Sequence, residues 1–250
     1  MSKNNNWLKL LVLLILALGL PIALAGAPGG KSNKSPQRLA RADIPKSVED
    51  QYDRAQDAAE ILADLTSAPD KGIPKSLLDR AQGIAVFPHV VKAAFVVGGS
   101  WGKGLISIRQ AKGWSAPTFV EITGGSVGFQ IGGQATDLVL VFTSRKGVDS
   151  LLNSKVKLGA DASIAAGPVG RTAQAGTDIA LNAEIYAYSR ARGLFAGIAL
   201  DGAVVSFDNG SNHKVYGMEG REILAGRAPN SPVTMPFQAA LREHSPAMAK

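Results

Sequence analysis

The sequence predicts an α+β fold: a strongly curved antiparallel β-sheet or partial barrel with N-terminal helices packed on it. Three observations predict it. Apolar residues recur at helical spacing up to about Gln82 and alternate with period two from Gly83 onward. Of the 28 glycines, 19 lie between Gly83 and Gly202. Glycine within strands marks bends, bulges and close backbone approach. Strands and helices do not alternate, which argues against a doubly wound parallel sheet. The short connections favour antiparallel pairing. Hydrophobic residues make up 46% of the 250, enough to bury a core.

Residues 1–27 read as a secretory signal. Lys3 and Lys9 give a positive start, Leu10–Leu20 an apolar core, and Ala23-Leu24-Ala25 small residues at the cleavage positions. An uncleaved anchor is the alternative, because no charge falls between Leu10 and Gly30. The strongly apolar run is shorter than the roughly 20 residues a spanning helix needs. Either way the bulk of the protein is expected outside the cytoplasm, in the periplasm or cell envelope, with peripheral membrane association. Residues 28–46 read as a basic flexible linker in which Lys31, Lys34, Arg38, Arg41 and Lys46 oppose only Asp43. Such a segment is either a solvated tail or an electrostatic tether to an anionic membrane. The main domain is expected over 47–217, followed by a C-terminal extension, 218–250, with short helices.

Ser47 to about Thr66 is an amphipathic helix, with Ser47 and Asp50 placed as a capping box. Val48, Tyr52, Ala55, Ala59 and Leu62 form its apolar face, and Glu49, Asp50, Asp53, Asp57, Glu60 and Asp64 make the rest acidic. An acidic polar face suits packing on a domain and not lying on an anionic bilayer. A second helix starts near Pro74, a favoured first-turn residue. Ile84–Phe87 is a short buried strand ended by Pro88. Ala93–Gly99 and Gly104–Arg109 read as a hairpin turning at Ser100–Lys103. Strands follow at 118–123, 126–134 and 137–143, then a helix at Arg145–Asn153. Val156–Ala166, Ile179–Arg190, Gly193–Ala199 and Gly202–Phe207 are strand-like. In the second of these, Tyr186 and Tyr188 fall on the more polar face. Short helices are expected at Glu219–Ala225 and Phe237–Glu243.

The formal charge of +7 falls to +5 if Lys3 and Lys9 leave with the signal. That favours anionic partners modestly. Aromatics are only 6%, so basic residues interleaved with stacking rings are missing and no nucleic-acid partner is expected. With no cysteine, disulfides, thiolate catalysis and cysteine-ligated zinc are excluded. His89, His213 and His244 are scattered, so no metal site or cofactor is expected.

Gly98–Gly102 and Gly124–Gly128 both match G-x-S-x-G. In a hydrolase that motif is a strained strand-to-helix turn exposing the serine. Ser126 runs on into a strand and Ser100 into a turn, so architecture is preferred over catalysis. A serine hydrolase using Ser126, with Asp161 and His213 in triad order, is the least favoured alternative. The Gly99–Gly104 run lacks the ending of a phosphate-binding P-loop. Lys103, Arg109 and Lys112 lie near Trp101 and Trp114. Cations beside interfacial aromatics suit lipid headgroups. The alternative is that both tryptophans are core and the cations solvated.

Six ordered stretches then point to a relative: Ala81-Gln-Gly-Ile-Ala-Val-Phe-Pro, Gly98-Gly-Ser-Trp-Gly-Lys-Gly, Gly113-Trp-Ser-Ala-Pro, Thr123-Gly-Gly-Ser-Val-Gly-Phe-Gln-Ile-Gly, Leu158 to Arg171, and Tyr188-Ser-Arg-Ala-Arg-Gly-Leu-Phe-Ala-Gly. Together they resemble the SYLF domain, also called the Ysc84 actin-binding domain, over roughly 47–217. The resemblance implies a lipid-binding module and not an enzyme. Eukaryotic members bind phosphoinositides, and fungal ones also bind and bundle actin. Bacterial members carry export signals and are lipid-binding proteins of the envelope. The expectation is therefore a non-catalytic module binding anionic phospholipid through Lys31, Lys34, Arg38, Arg41, Trp101, Lys103, Arg109 and Lys112. A structural or protein-interaction role in the envelope, with an envelope protein as partner, is the alternative. Actin is not expected as a partner of an exported protein.

Overall fold

The computed structural model describes residues 41–68, 72–95, 97–111, 113–126, 134–168, 182–191, 194–195 and 200–246. They belong to one compact unit spanning Arg38–Lys250. Two short 3-10 turns, Arg41–Asp43 and Lys46–Val48, lead into helix α1, Glu49–Ser67. Ile44 already packs with Val48, Tyr52 and Val233. Val48, and not Ser47, precedes the helix, and it offers no side-chain cap. The expected capping box is therefore not formed. Glu49 and Asp50 instead place negative charge in the first turn, where the helix dipole favours it. The buried apolar stripe is Tyr52, Ala55, Ala58, Ile61, Leu62 and Leu65; Ala59 is only partly buried against it. Helix α2, Lys75–Arg80, starts after Pro74 as expected.

Strand β1, Gly83–Phe95, and strand β2, Val97–Gln110, form the central hairpin. Phe95 and Val97 pair directly at its end. The sequence places the turn at Ser100–Lys103, but those residues sit within β2. Nor does Pro88 end β1: the strand continues through a bulge, with the register shifting between Phe87 and Val90. His89, in the bulge, has φ 55, and its N–H donates to Asp137 Oδ1 at 3.2 Å. The glycines account for this difference. A Cβ on Gly102 would lie 2.8 Å from Val90 Cγ2, and one on Gly104 would strike the Val86 carbonyl and the Phe87 ring. These glycines make room for the bulge and do not form a turn.

Among the described residues the further strands and α-helices are β3 (Gly113–Trp114), β4 (Thr118–Ser126), β5 (Gln134–Phe142), α3 (Arg145–Asn153), β6 (Lys155–Lys157), β7 (Ile164–Ala166), β8 (Ile185–Ala191), β9 (Leu194–Phe195), β10 (Val204–Phe207), α4 (Asn209–Tyr216), α5 (Gly220–Leu224) and α6 (Met235–His244). The strand order is β6-β10-β4-β2-β1-β5-β8-β7, with β3 beside β2 and β9 beside β8. The pairing is antiparallel except between β7 and β8, so the sheet is mixed. It curls strongly into a half-barrel. The edge strands β6 and β7 are joined by only the six residues Leu158–Ser163, which reach at most about 20 Å. Val156 from β6 and Ile185 from β8 share one core cluster.

Both faces are covered. On β1, Ile84 and Val86 pack under α1, α2 and α6, while Ala85 and Phe87 point into the concave core with α3, Val120, Leu140 and Val205. The strand therefore reads as a continuous apolar run. Tyr186 and Tyr188, expected on a polar face, are buried in the helix-side cluster. In the C-terminal part, Phe237, Ala240 and Leu241 of α6 belong to the same core. Among the described residues no helix is long and apolar enough to cross a membrane; residues 1–27 lie outside them.

Candidate functional site

Strand register sorts the helix-covered sheet face into rows. Phe119, Leu105, Val86, Val139 and Tyr188 are cross-strand neighbours and all buried. The next row, toward the β1–β2 turn, is charged: Lys103 opposite Glu121, and Asp137 opposite Arg190. Beyond it lie Thr123, Trp101, Val91 and Ala135. Trp101 is 49% exposed and Val91 45%, the two large apolar side chains that stand open among the described residues.

Helix α1 lies along the charged row. Arg54 Nη1 is 3.6 Å from Asp208 Oδ2, and its guanidinium sits 5.7 Å from the Phe119 ring centroid. Further along α1, Asp64 accepts from Arg190 at 2.9 Å. Between them, burial first and then the carboxylates of Glu60, Asp53 and Asp137 hold the Asp57 carboxyl above its usual range, against the opposing charge of His89. Asp208 is buried and caps α4, accepting from the Ser211 N–H at 3.1 Å and hydroxyl at 2.8 Å. Lys103 Nζ reaches it at 2.9 Å. Burial alone would push the Asp208 carboxyl up, but the bonds from Lys103 and Ser211 outweigh it and hold it low.

The eight candidate contacts part company in this setting. Lys31, Lys34, Arg38 and Lys112 lie outside the described residues. Arg41 is exposed and bridges Glu49 at 3.3 Å and Asp53 at 2.8 Å. Trp101 and Lys103 come together, with Lys103 Nζ 5.9 Å from the indole centroid. Lys103, however, already has its counter-ion in Asp208. Arg109 points inward. Its guanidinium donates to the carbonyls of Ala81, Leu78 and Pro246 and to Ser245 Oγ, at 2.8–3.1 Å, and stacks 4.5 Å from the Trp114 centroid. Trp114 is buried, its indole N–H donating to Ser245 O at 2.8 Å. Arg109 and Trp114 thus clamp the C-terminal segment to the sheet, while Trp101 faces solvent.

Sequence reasoning misses Asp208, along with α4. The signal is present: Asp208 with Ser211 three residues on is a helix start, and Gly217, at φ 67, its stop. Both motif serines sit in strands, Ser100 in β2 and Ser126 in β4; Val127 and Gly128 lie outside the described residues. Ser126 ends β4 opposite Gly98, and the Ser100 hydroxyl donates to Gly124 O at 3.4 Å. Asp161 accepts from the Lys157 N–H, and His213 is bound to Asn209 O. Among the described residues no group of three or more His, Asp or Glu could hold a metal ion.

The chain resembles known proteins over most of this fold. The family model for Ysc84, described as Las17-binding protein actin regulators, matches residues 123–244. SH3 domain-containing YSC84-like protein 1 from Xenopus laevis is 37% identical over 179 residues, 68% of this chain and 53% of the relative. The Homo sapiens protein of that name is 34% identical over 184 residues, 70% of this chain and 54% of the relative. LAS seventeen-binding protein 3 from Saccharomyces cerevisiae is 33% identical over 205 residues, covering 78% and 44%. The chain spans about half the length of these relatives. The yeast relative's name concerns a protein partner and the family description concerns actin, so the expectation that excluded actin finds no support in them.

Proposed function

Because the chain belongs to the Ysc84 family, we propose that it is a non-catalytic docking module for a protein partner, with the Trp101–Val91 row as its contact surface. One observation carries the reading: two large apolar side chains sit opposite one another on β1 and β2, each about half exposed, beside an otherwise covered sheet face. A tryptophan in such a place is the residue type that most often anchors an interface. The yeast relative's name and the family description, which speak of binding Las17, support a protein partner. Replacing Trp101 with the photoreactive p-benzoylphenylalanine in the full chain tests the reading. A reproducible protein adduct on illumination in cells is expected; no adduct, or adducts with lipid alone, would overturn it.

Anionic phospholipid is the second reading. Trp101 suits a membrane interface, and Lys31, Lys34 and Arg38 would supply the charge that Lys103 and Arg109 use internally. The signal-like residues 1–27 go with it, since they would deliver the chain to the envelope. Flotation of the full chain with phosphatidylglycerol vesicles, and not with phosphatidylcholine alone, is the result this reading expects.

A further inference from the structure

The surface beside the exposed row is acidic. On α1, Asp53, Asp57, Glu60 and Asp64 are spaced four, three and four residues apart, so they form one stripe along the helix. One ion pair ties that stripe to the charged row: Asp64 accepts from Arg190, which stands opposite Asp137, and the charges of His89 and Asp137 are felt at Asp57. With Asp137 the strip holds five carboxylates. Two guanidiniums already sit on it, Arg41 at Asp53 and Arg190 at Asp64, so its two ends accept cations in good geometry. Between those ends, Asp57 and Glu60 form no ion pair with a lysine or arginine among the described residues. The neighbouring row, Trp101, Val91 and Ala135, is apolar.

We infer that the strip where the acidic flank of α1 meets the Trp101–Val91–Ala135 row takes a basic, partly apolar segment of a partner protein. The inference rests on the docking reading above and adds the partner's chemistry. An extended segment turns alternate side chains to opposite sides. Cations on one side can meet Asp57 and Glu60 while apolar residues on the other lie on Trp101 and Val91. Like charge excludes an acidic segment, so the carboxylates select the partner as well as hold it. Burial first, and then the nearby carboxylates of Glu60, Asp53 and Asp137, disfavour the charge of Asp57, which fits this role. A group of carboxylates that repel one another in the free protein is relieved when a cation arrives.

The probe is a fluorescein-labelled peptide of alternating lysine and leucine, with a glutamate–leucine twin as control, titrated against the full chain. The basic peptide is expected to bind at least about tenfold more tightly than its twin, and more weakly as salt rises. The D57N/E60Q double variant should lose about tenfold in affinity for the basic peptide and W101A a similar factor, each about 1.4 kcal/mol by the usual conversion. D57N/E60Q should melt no lower than the parent, which separates lost binding from lost folding. Equal binding of the two peptides would overturn the inference, as would D57N/E60Q binding like the parent while W101A fails. The latter result leaves the docking row standing. If instead W101A binds like the parent, the docking reading itself falls. Recruitment of phosphatidylglycerol vesicles through Trp101, with no affinity for the basic peptide, would overturn the inference in favour of a membrane.

Discussion

Arg109 and Lys103 lie on one strand, and each uses its charge inside the fold. Arg109 directs its planar fork at three carbonyls and a hydroxyl. A lysine offers a point charge and cannot reproduce that pattern. Arg109→Ala is expected to cost about 2–3 kcal/mol, because carbonyls of the α2 segment and the C-terminus lose a charged donor. Arg109→Lys should recover little of it. Urea unfolding of both variants checks this, and a full rescue by lysine would show that charge alone suffices. Asp208 makes a pH-dependent contribution. Its carboxyl is held below the ordinary aspartate value in the folded state. The stability it adds is therefore present above that value and lost as pH falls through the folded value. Asp208→Asn should destabilise by a constant amount between about pH 6 and 8, with the gap from the parent closing below about pH 4. A gap that widens in acid would contradict the pairing with Lys103.

At the scale of elements, β1 and β2 show why a glycine-rich strand can be mistaken for a turn. Gly102 and Gly104 fall on the concave side, where Val90 and Phe87 of the β1 bulge occupy the space a Cβ would need. Alternation then forces Trp101 and Lys103 onto the helix side. Gly104→Ala is expected to cost about 2–3 kcal/mol, because the clash is with backbone and a packed ring that cannot turn away. Thermal melting of that variant beside Gly113→Ala, where a Cβ would meet nothing but φ is 116, separates crowding from backbone strain. Helices α1, α2, α3, α5 and α6 are legible in the sequence because their apolar spacing is local and the proline before α2 is a boundary mark. The hairpin is not, because the reason for its glycines lies on the opposite strand. The candidate site is half legible. Trp101 and Lys103 stand out as a pair. Asp208, which fixes Lys103, arrives from the junction of β10 and α4, and the inward turn of Arg109 depends on a C-terminal segment far along the chain.

For the whole molecule, the curled sheet leaves one end of its helix-covered face open, and that end carries the function proposed here. Helix α1 has two tasks on this view. Its apolar stripe covers the sheet, and its acidic flank borders the exposed row. The second task costs stability: the Asp57 carboxyl is raised, so its charge opposes folding near neutrality. Asp57→Asn should therefore raise the melting temperature at pH 7, the gain shrinking as pH falls through the raised folded value and gone below about pH 4, where the parent's carboxyl is protonated in both states. A stabilising change that weakens partner binding marks a functional residue. The most direct measurement uses Trp101 itself, as the emission of the full chain minus that of its W101F variant, during titration with the lysine–leucine peptide. The Trp101 component is expected to shift to shorter wavelength as the indole leaves water, in step with binding. Saturable binding that leaves this component unchanged would contradict it.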